Sequence, residues 1–545
     1  MRRLLVAIPA AVLVAGIGLA PAVSAGTTPV HRPDCAENDA ICAEVYKNIG
    51  YQSRYTGHDE PSLLFYSNTP GSGNSMQYQL TLPKDPPTAP NQNGTGGTFN
   101  FQLHPTFWFG MAICNDQSAP NPGGSSVGPV VPCTPDSDSN IYNSSDPASP
   151  RYIGHHPGTS FMEMQIYPPG WAPFATGGTS CDATHWCAAL VIWSLAQNEN
   201  TGQALNNRCT SKIGGTEYPN FAFITKNGVS QAPANPIDAT GATFTPSAAQ
   251  DLFMNSGDHV TVGFHDSANG LVVSMNDHSR HQSGSMTASA ANGFGEVQFA
   301  PSGGTCNNIP TNFHPMYSTS STETRVPWTA HSYNVSFTDE TGHFEYCNAV
   351  SGNAGTCRTA GVSEPNGQTD GDDAICFPAS ASFQVQVSGC TNSDGDFDGV
   401  PYGNNWPGTG PSGTDAQLHP TPVVVSSPLT NGSNYQQAAF EADLPRIERA
   451  DFGGTCSGST GTNCVNPPPG AAFYPIFTTT TSDGGCAWQL GGPNIPGTTN
   501  TFGGTSASEY GTTLLKLAYP NVGGPIFLFE DFRNILPNNP CPASG

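Results

Sequence analysis

The sequence has few charged residues and very few lysines. Charged residues make up 11% of the chain, and only five of its 17 basic residues are lysines, against 41 Asp and Glu residues. Binding to nucleic acid or to an anionic membrane surface depends on basic side chains that neutralise phosphate groups. The composition therefore argues against nucleic acid and anionic membranes as partners.

Long apolar runs are absent beyond the first residues of the chain. Arg2 and Arg3 precede an apolar stretch that ends in the small residues Val23-Ser24-Ala25, which is typical of a secretory signal peptide over residues 1–25. No later segment approaches the roughly 18 uninterrupted apolar residues that a membrane-spanning helix needs. We expect a secreted, extracellular protein with no membrane span. Without residues 1–25 it carries 15 basic and 41 acidic residues, a formal charge of −26.

All 16 cysteines follow the signal peptide, and no two have the CxxC spacing of a zinc knuckle. An even number of cysteines in an exported chain indicates disulfides. Proximity in sequence favours four local pairs, Cys35–Cys42, Cys114–Cys133, Cys181–Cys187 and Cys456–Cys464.

Turn residues are abundant, and short runs with a period of two recur between them. The chain has 62 glycines and 50 prolines. Helical crossovers long enough for parallel βαβ units are absent, so an all-β fold is predicted, a large antiparallel β-sandwich or jelly roll. The strand-like runs include Ser62–Tyr66, Met76–Leu82, Phe99–Ile113, Ser160–Tyr167, Ala188–Leu195, Phe221–Thr225, His259–Phe264, Leu271–Met275, Gly295–Phe299, Ser332–Phe337, Phe473–Thr478 and Leu514–Leu517.

Composition changes divide the mature chain into three regions. Residues 26–350 carry most strand-like runs and are predicted to form the sandwich domain. Residues 351–410 are rich in Cys, Asp and Gly, and residues 411–545 return to a β-like pattern. We expect a Cys/Asp-rich linker followed by a smaller C-terminal β-rich domain.

Three alternate aspartates in the linker form a candidate calcium loop. Asp394, Asp396 and Asp398 precede Gly399, and this spacing supplies the oxygen ligands that Ca²⁺ prefers. The segment resembles the calcium loops of EF-hand, dockerin and thrombospondin-type repeats. It differs from the EF-hand at the twelfth position, which is Asn405 rather than Glu. The sequence predicts a structural Ca²⁺ here, and a solvated acidic turn is the alternative.

The segment Ser160–Tyr167 brings polar groups to one side of a predicted strand. Glu163, Gln165 and Tyr167 would share one face, while Met162, Met164 and Ile166 would share the other. A carboxylate, an amide and an aromatic ring in one row are what a sugar-binding cleft requires. Ordinary alternation of polar and apolar residues in a sandwich strand is the simpler interpretation.

The segment Glu163-Met-Gln165-Ile-Tyr167 resembles a strand of the concanavalin A-like lectin and glucanase superfamily, whose endoglucanases carry Glu-x-Met-x-Trp and whose laminarinase-like members carry Glu-x-Asp-x-Glu. The runs His259–His265 and Gly270–Asp277 resemble adjacent strands of such sandwiches. The resemblance implies a jelly-roll fold and gives Glu163 the role of nucleophile. Glycoside hydrolysis needs a second carboxyl, for which Glu296 is the leading candidate and Glu345 another.

Aromatic and imidazole groups complete the predicted cleft. Trp171 follows the strand of Glu163, and Trp108 and His104 lie in a strongly apolar run. We expect Gln165, Tyr167, Trp171, His104 and Trp108 to contact substrate. His265 and Asp266 are neighbours on a strand, so their side chains should point to opposite faces.

These features together predict a secreted carbohydrate-active protein, a glycoside hydrolase acting on an extracellular polysaccharide with Glu163 as nucleophile or base and Glu296 as acid. A non-catalytic lectin-like or adhesion protein is an alternative, because stacking aromatics and calcium suffice for binding. An acid peptidase that uses a glutamate and glutamine pair is another, and an extracellular scaffold without a small-molecule site remains open.

Overall fold

The computed structural model of the protein describes seventeen segments of the chain. They are residues 43–44, 62–84, 102–118, 133–140, 159–169, 181–182, 184–196, 203–213, 217–322, 335–341, 345–351, 356–360, 387–388, 421–443, 477–490, 514–519 and 527–544. The predicted signal peptide and the aspartates Asp394, Asp396 and Asp398 lie outside these residues. Both therefore stay predictions.

The described residues fold mainly into β-strands. In chain order the strands are β1 (Ala43–Glu44), β2 (Ser62–Tyr66), β3 (Ser75–Thr81), β4 (Gln102–Cys114), β5 (Thr159–Tyr167), β6 (His185–Leu195), β7 (Glu217–Phe223), β8 (Met254–Asn255), β9 (His259–His265), β10 (Val272–Asp277), β11 (Gln282–Thr287), β12 (Gly295–Val297), β13 (Asn308–Pro310), β14 (Ser336–Thr341), β15 (Glu345–Ser351), β16 (Thr356–Ala360), β17 (Val387–Ser388), β18 (Val424–Val425), β19 (Leu429–Thr430), β20 (Ser433–Asn434), β21 (Gln437–Asp443), β22 (Phe477–Ser482), β23 (Gly485–Leu490), β24 (Leu514–Tyr519) and β25 (Phe527–Ile535). The helical elements within the same residues are one short α-helix, α1 (Asn207–Ile213), and 3-10 turns at Asp138–Asn140, Gly241–Phe244 and Ala290–Asn292.

Two antiparallel sheets contain most of these strands. The large sheet has the order β1-β24-β25-β21-β2-β14-β4-β5-β6-β7, and β8 pairs with β6. The second sheet has the order β11-β10-β9-β3-β18-β23-β22, with β19 beside β3 and β20 beside β19. Smaller sheets are formed by β12 with β13 and by β16, β15 and β17.

Strands of the second sheet bury one face only. In β3 the side chains of Met76, Tyr78 and Leu80 are buried while Gln77 and Gln79 are exposed. This alternation is expected for an antiparallel sheet with one face in a core and one facing water. Strand β6 of the large sheet is buried along nearly its whole length, so the large sheet is covered on both faces there.

The main core lies between the two sheets. The ring of Phe109, from β4 of the large sheet, packs against Tyr78 and Phe264 of the second sheet, with ring centroids 4.7 and 5.8 Å apart. Phe337 of β14 completes the contact at 5.3 Å from Phe109. All four rings are at most 2% exposed. The predicted all-β sandwich is therefore confirmed.

A second apolar cluster covers the opposite face of the large sheet, which we call the outer face. It includes Trp108, Tyr167 and Trp193 from the sheet itself. Segments crossing this face contribute Phe253 and Tyr317. The outer face is thus largely a second covered layer rather than an open surface.

The C-terminal strands belong to the same two sheets as the strands near the N-terminus. In the large sheet β21 pairs with β2, and in the second sheet β18 and β19 pair with β3. The rings of Phe440 and Trp488 meet in the main core, with centroids 5.9 Å apart. The sequence had predicted a separate domain over residues 411–545, whereas this pairing merges its described strands with the first sandwich.

Four disulfides link described cysteines, and two of them were predicted. Cys114–Cys133 and Cys181–Cys187 are confirmed. Cys209–Cys306 and Cys486–Cys541 join residues 97 and 55 positions apart, which sequence order alone does not reveal. The predicted pairs Cys35–Cys42 and Cys456–Cys464 lie outside the described residues. Disulfides of this kind persist in oxidising compartments.

Among the residues described above, no helix combines the length and apolar character needed to cross a membrane. The longest α-helix in this part of the chain is α1, with seven residues.

Replacing Phe109 with alanine should strongly destabilise the sandwich, because it removes a ring that bridges the two sheets. We expect the free energy of unfolding to fall by about 3–5 kcal/mol. Chemical denaturation with intact disulfides measures the change. Val229→Ala is the matched control, since Val229 is 59% exposed, and its effect should stay within about 0.5 kcal/mol. Equal losses in the two variants would contradict this assignment of the core.

Candidate functional site

Strand β5 carries the polar row that the sequence predicted. Met162, Met164 and Ile166 lie in the core between the sheets, while Tyr167 belongs to the cluster on the outer face. The alternation of β5 is therefore confirmed, and Glu163 and Gln165 share the outer face with Tyr167. The position of β5 between β4 and β6 fixes this orientation.

Hydrogen bonds connect the row into one chain of groups. The hydroxyl of Tyr167 donates to Oε1 of Gln165, and Nε2 of Gln165 donates to Oε2 of Glu163 over 2.6 Å. The same Oε2 accepts a hydrogen bond of 2.9 Å from Nε1 of Trp193 on β6. The carboxylate of Glu163 is thus held by an amide and an indole, and the amide is oriented by a phenol.

Burial decreases along this row from Tyr167 to Glu163. Tyr167 is fully buried and its ring lies 6.4 Å from that of Phe221, while Gln165 is 4% exposed. Glu163 is partly exposed. Tyr167 has no surface with which to stack on a ligand, so its predicted substrate contact is corrected to a role in orienting Gln165. Glu163 is the group of the row that meets solvent.

Strand β4 closes the other side of the row. Trp108 lies opposite Gln165 and is 1% exposed, because its indole packs edge-on against Phe161 with centroids 5.5 Å apart. Gly110 lies opposite Glu163. A Cβ at Gly110 would come within 2.3 Å of Ser336 Oγ and 2.8 Å of the Phe161 ring. Trp108 therefore supports the site from within and offers no open ring face, which corrects its predicted contact with substrate.

The other predicted contact residues are not described in side-chain detail. His104 lies in β4, but its side chain is outside the described set, as is that of Glu345 in β15. Trp171 lies outside the described residues. The substrate contacts predicted for His104 and Trp171, and the candidate catalytic role of Glu345, stay predictions.

Glu296, the predicted second carboxyl, lies on the other side of the large sheet. The backbone of Gly295 exchanges two hydrogen bonds with the side chain of Asn220, and the N–H of Val297 donates to the hydroxyl of Tyr218. Both side chains extend from β7 toward the side that holds the main core, as the neighbouring Ala222 does. Glu163 lies on the outer face, so the structure does not bring Glu163 and Glu296 together.

The surroundings of Glu296 change its ionisation. Glu296 is 6% exposed, and burial together with the negative charge of Asp116 raises the pKa of its carboxyl to about 8. Glu296 in turn contributes to the raised pKa of Tyr218, after burial. A neutral buried acid packed beside a phenol is a structural element of this layer.

The register of the neighbouring strands places another described carboxyl, that of Glu441, in line with the row. Across the outer face, Gln165 is followed by Trp108, Thr338, Ser62 and Glu441 on successive strands. Four strand spacings put Glu441 about 19 Å from this point of β5. Glycosidase carboxyl pairs lie about 5–9.5 Å apart, so Glu441 is too distant.

The structure also assembles a cluster that the sequence did not predict. Asp136, Asp266 and His314 come from three distant segments, and their ligand-type atoms all lie within 4.8 Å of one another. Nδ1 of His314 lies 2.8 Å from Oδ1 of Asp266, and this hydrogen bond raises the pKa of His314. Burial, then the hydrogen bond and charge of Asp266, raise the pKa of Asp136 to about 7.

Trp193 and this cluster were missed for different reasons. Trp193 lies in a continuous apolar run, which indicates burial and gives no sign of its bond to Glu163. The sequence neighbour of Asp266 is His265, whereas its partner in the structure, His314, is 48 residues away.

Comparison of the chain with protein-family models, with curated proteins and with solved structures found no match.

Stability should depend on pH through Glu296. Its pKa is about 8 in the folded protein and near 4.5 in the unfolded chain. Between these values the unfolded chain releases a proton that the folded protein keeps, so the free energy of unfolding falls as pH rises. Glu296→Gln removes this term, and its stability relative to the unmodified protein should rise by roughly 1 kcal/mol per pH unit between pH 5 and 8.

Denaturation at several pH values measures this difference. Asp238→Asn is the control, because Asp238 is exposed. A difference between Glu296→Gln and the unmodified protein that is constant from pH 5 to 8 would contradict the buried, neutral state of Glu296.

Proposed function

We propose that the protein is secreted and binds a neutral polysaccharide at Glu163, on the outer face of the large sheet. The observation that carries this proposal is the partly exposed carboxylate held in place by Gln165 and Trp193. A carboxylate with a fixed orientation is a strong acceptor for sugar hydroxyls, because little entropy is lost when it binds.

Trp193 supplies the apolar part of this binding site. Trp193 as a whole residue is 9% exposed, against 1% for Trp108 and 0% for Tyr167, and its Nε1 lies 2.9 Å from Oε2 of Glu163. Sugar-binding sites combine an apolar ring with a few fixed polar groups. The indole of Trp193 and the carboxylate of Glu163, joined by a hydrogen bond, place one group of each kind side by side.

The charge of the chain indicates which polysaccharides are suitable. A formal charge of −26 without residues 1–25 repels polyanionic polymers such as those rich in uronic acid or sulfate. Neutral polymers, or those carrying amino groups, meet no such repulsion. Export through the predicted signal peptide and the four described disulfides agree with an encounter outside the cell.

Binding is favoured over two-carboxyl hydrolysis. Glu296 lies on the opposite side of the large sheet, and Glu441 is about 19 Å away across the strands of the outer face. A glycosidase needs two carboxyls that flank the scissile bond, about 5–9.5 Å apart. Neither Glu296 nor Glu441 can form such a pair with Glu163.

A second function, acid peptidase activity, is favoured by one observation, the 2.6 Å contact between Gln165 and Glu163. A carboxyl that activates water and a carboxamide that donates to the developing oxyanion need no second carboxyl. This alternative predicts that Glu163 is required for release of peptides from a denatured protein at acidic pH.

Glu163→Gln and Trp193→Phe test the binding proposal. Each should weaken binding to neutral polysaccharides at least tenfold, since the first replaces a charged acceptor with a neutral amide and the second removes the donor that orients it. Affinity electrophoresis and calorimetry against a panel of neutral and acidic polymers measure the change. The control is Asp483→Asn, because Asp483 is 70% exposed and lies in the second sheet's β22–β23 turn.

The outcomes separate the candidate functions. Binding that is lost in both Glu163 and Trp193 variants, with no sugar released, supports the proposal. Peptide release at low pH that Glu163→Gln abolishes supports the peptidase instead. Polysaccharide binding that both variants retain, or its absence from every polymer in the panel, would overturn the proposal.

A further inference from the structure

The cluster of Asp136, Asp266 and His314 lies apart from the Glu163 row. Asp266 follows directly after the end of β9, and His314 precedes Pro315, which forms a bridge with Ile113 near the end of β4. Asp136 lies in the segment that the Cys114–Cys133 disulfide ties to β4. Three separately anchored segments thus bring their side chains to one point.

Backbone contacts hold each contributor independently of the side chains in the cluster. The N–H of Asp136 donates to the carbonyl of Pro315 over 2.8 Å, and the N–H of Asp266 donates to the carbonyl of Asn74 over 2.8 Å. The carboxylate of Asp138 accepts from the N–H groups of Ser318 and Thr319, which fastens the Asp136 segment to the His314 segment. The cluster is therefore built on a rigid frame.

The donor set has the composition of a metal site. Two carboxylate oxygens and one imidazole nitrogen lie within 4.8 Å of one another and are half-buried, the side chains of His314 and Asp266 being 20% and 15% exposed. Tetrahedral zinc ligands at 2.0–2.1 Å from the ion lie about 3.3 Å apart, so the 2.8 Å contact between His314 and Asp266 needs to open by only about 0.5 Å.

We propose that Asp136, Asp266 and His314 bind a divalent transition metal ion, with Zn²⁺ as the best match. Three protein ligands of these types leave a fourth position for water, as in zinc sites that are not closed by protein. Ca²⁺ fits less well, because it takes six to eight oxygen ligands and the cluster supplies two carboxylates and a nitrogen. The ion also places positive charge between two carboxylates that otherwise repel each other.

Calorimetry with ZnCl₂ tests this site directly. The full secreted protein, without a histidine tag and stripped with EDTA, should bind one tight equivalent of Zn²⁺ near neutral pH. Asp266→Asn and His314→Gln should each weaken that equivalent at least a hundredfold. Any weaker binding by the Asp394–Asp398 loop should be unaffected by these variants.

A matched control is present in the same chain. Nδ1 of His185 lies 2.7 Å from Oδ2 of Asp182, so this pair has the same residue types as the cluster. Among the described residues, no third His, Cys, Asp or Glu joins the pair in a possible metal site. Asp182→Asn with His185→Gln should leave the tight equivalent intact. Co²⁺ provides a second readout, since a tetrahedral site gives strong visible absorption that Asp266→Asn and His314→Gln should abolish.

Three outcomes would overturn the site: no tight equivalent in the unmodified protein, equal Zn²⁺ affinity in the cluster variants, or loss of binding in the Asp182/His185 control. If Asp266→Asn or His314→Gln does not fold in EDTA, Asp136→Asn replaces it, because the backbone bond of Asp136 to Pro315 does not involve its side chain. A cluster that only shares a proton between the carboxylates would give the first of these results.

Discussion

The face of the large sheet that carries Glu163 depends on one constraint, the burial of strand β5 on both sides. One side of β5 faces the core between the sheets, and the other faces the apolar cluster that contains Trp108 and Trp193. A period of two assigns each side chain to one of these layers. Polar groups that fall on the outer side must find partners inside it, because an unsatisfied buried polar group costs about 1–3 kcal/mol.

The hydrogen-bonded row is the consequence of that requirement. Tyr167 and Gln165 are too deeply placed for bulk water to satisfy them, so they bond to each other and then to Glu163. The row therefore ends at the point where the covering layer ends. A carboxylate in that position is held by hydrogen bonds from inside the layer and is partly exposed to solvent.

The elements of the fold could be predicted from the sequence far better than their arrangement. Ser62–Tyr66 was predicted with its observed bounds, and the strands around Glu163 and Val262 were predicted to within a few residues, because period-two patterns are local. Strand order is not local. Nothing in the sequence near β2 indicates that β21, more than 370 residues later, pairs with it.

The same distinction explains the outcome at the candidate site. The shared face of Glu163, Gln165 and Tyr167 follows from spacing within one strand. The positions of Glu296 and His314 relative to that face depend on how distant segments pack. A shift of one residue in the register of a strand moves a carboxyl to the other face of the sheet, and so does a connection that carries the chain to the other side. Candidate pairs of acids drawn from different strands are therefore the least secure sequence predictions for a sandwich of this kind.

The placement of the C-terminal strands explains why composition misled the domain assignment. A change in composition at residues 351–410 is what a linker between domains usually shows. Here the residues after that region add strands to the same two sheets. Strand β21 lies between β25 and β2, and β18 lies between β3 and β23. Without these strands β2 and β3 would each present unpaired backbone groups, and Phe440 and Trp488 would be missing from the main core. The outer face that carries Glu163 is therefore a product of both ends of the chain, and its geometry depends on residues that lie far beyond the apparent boundary.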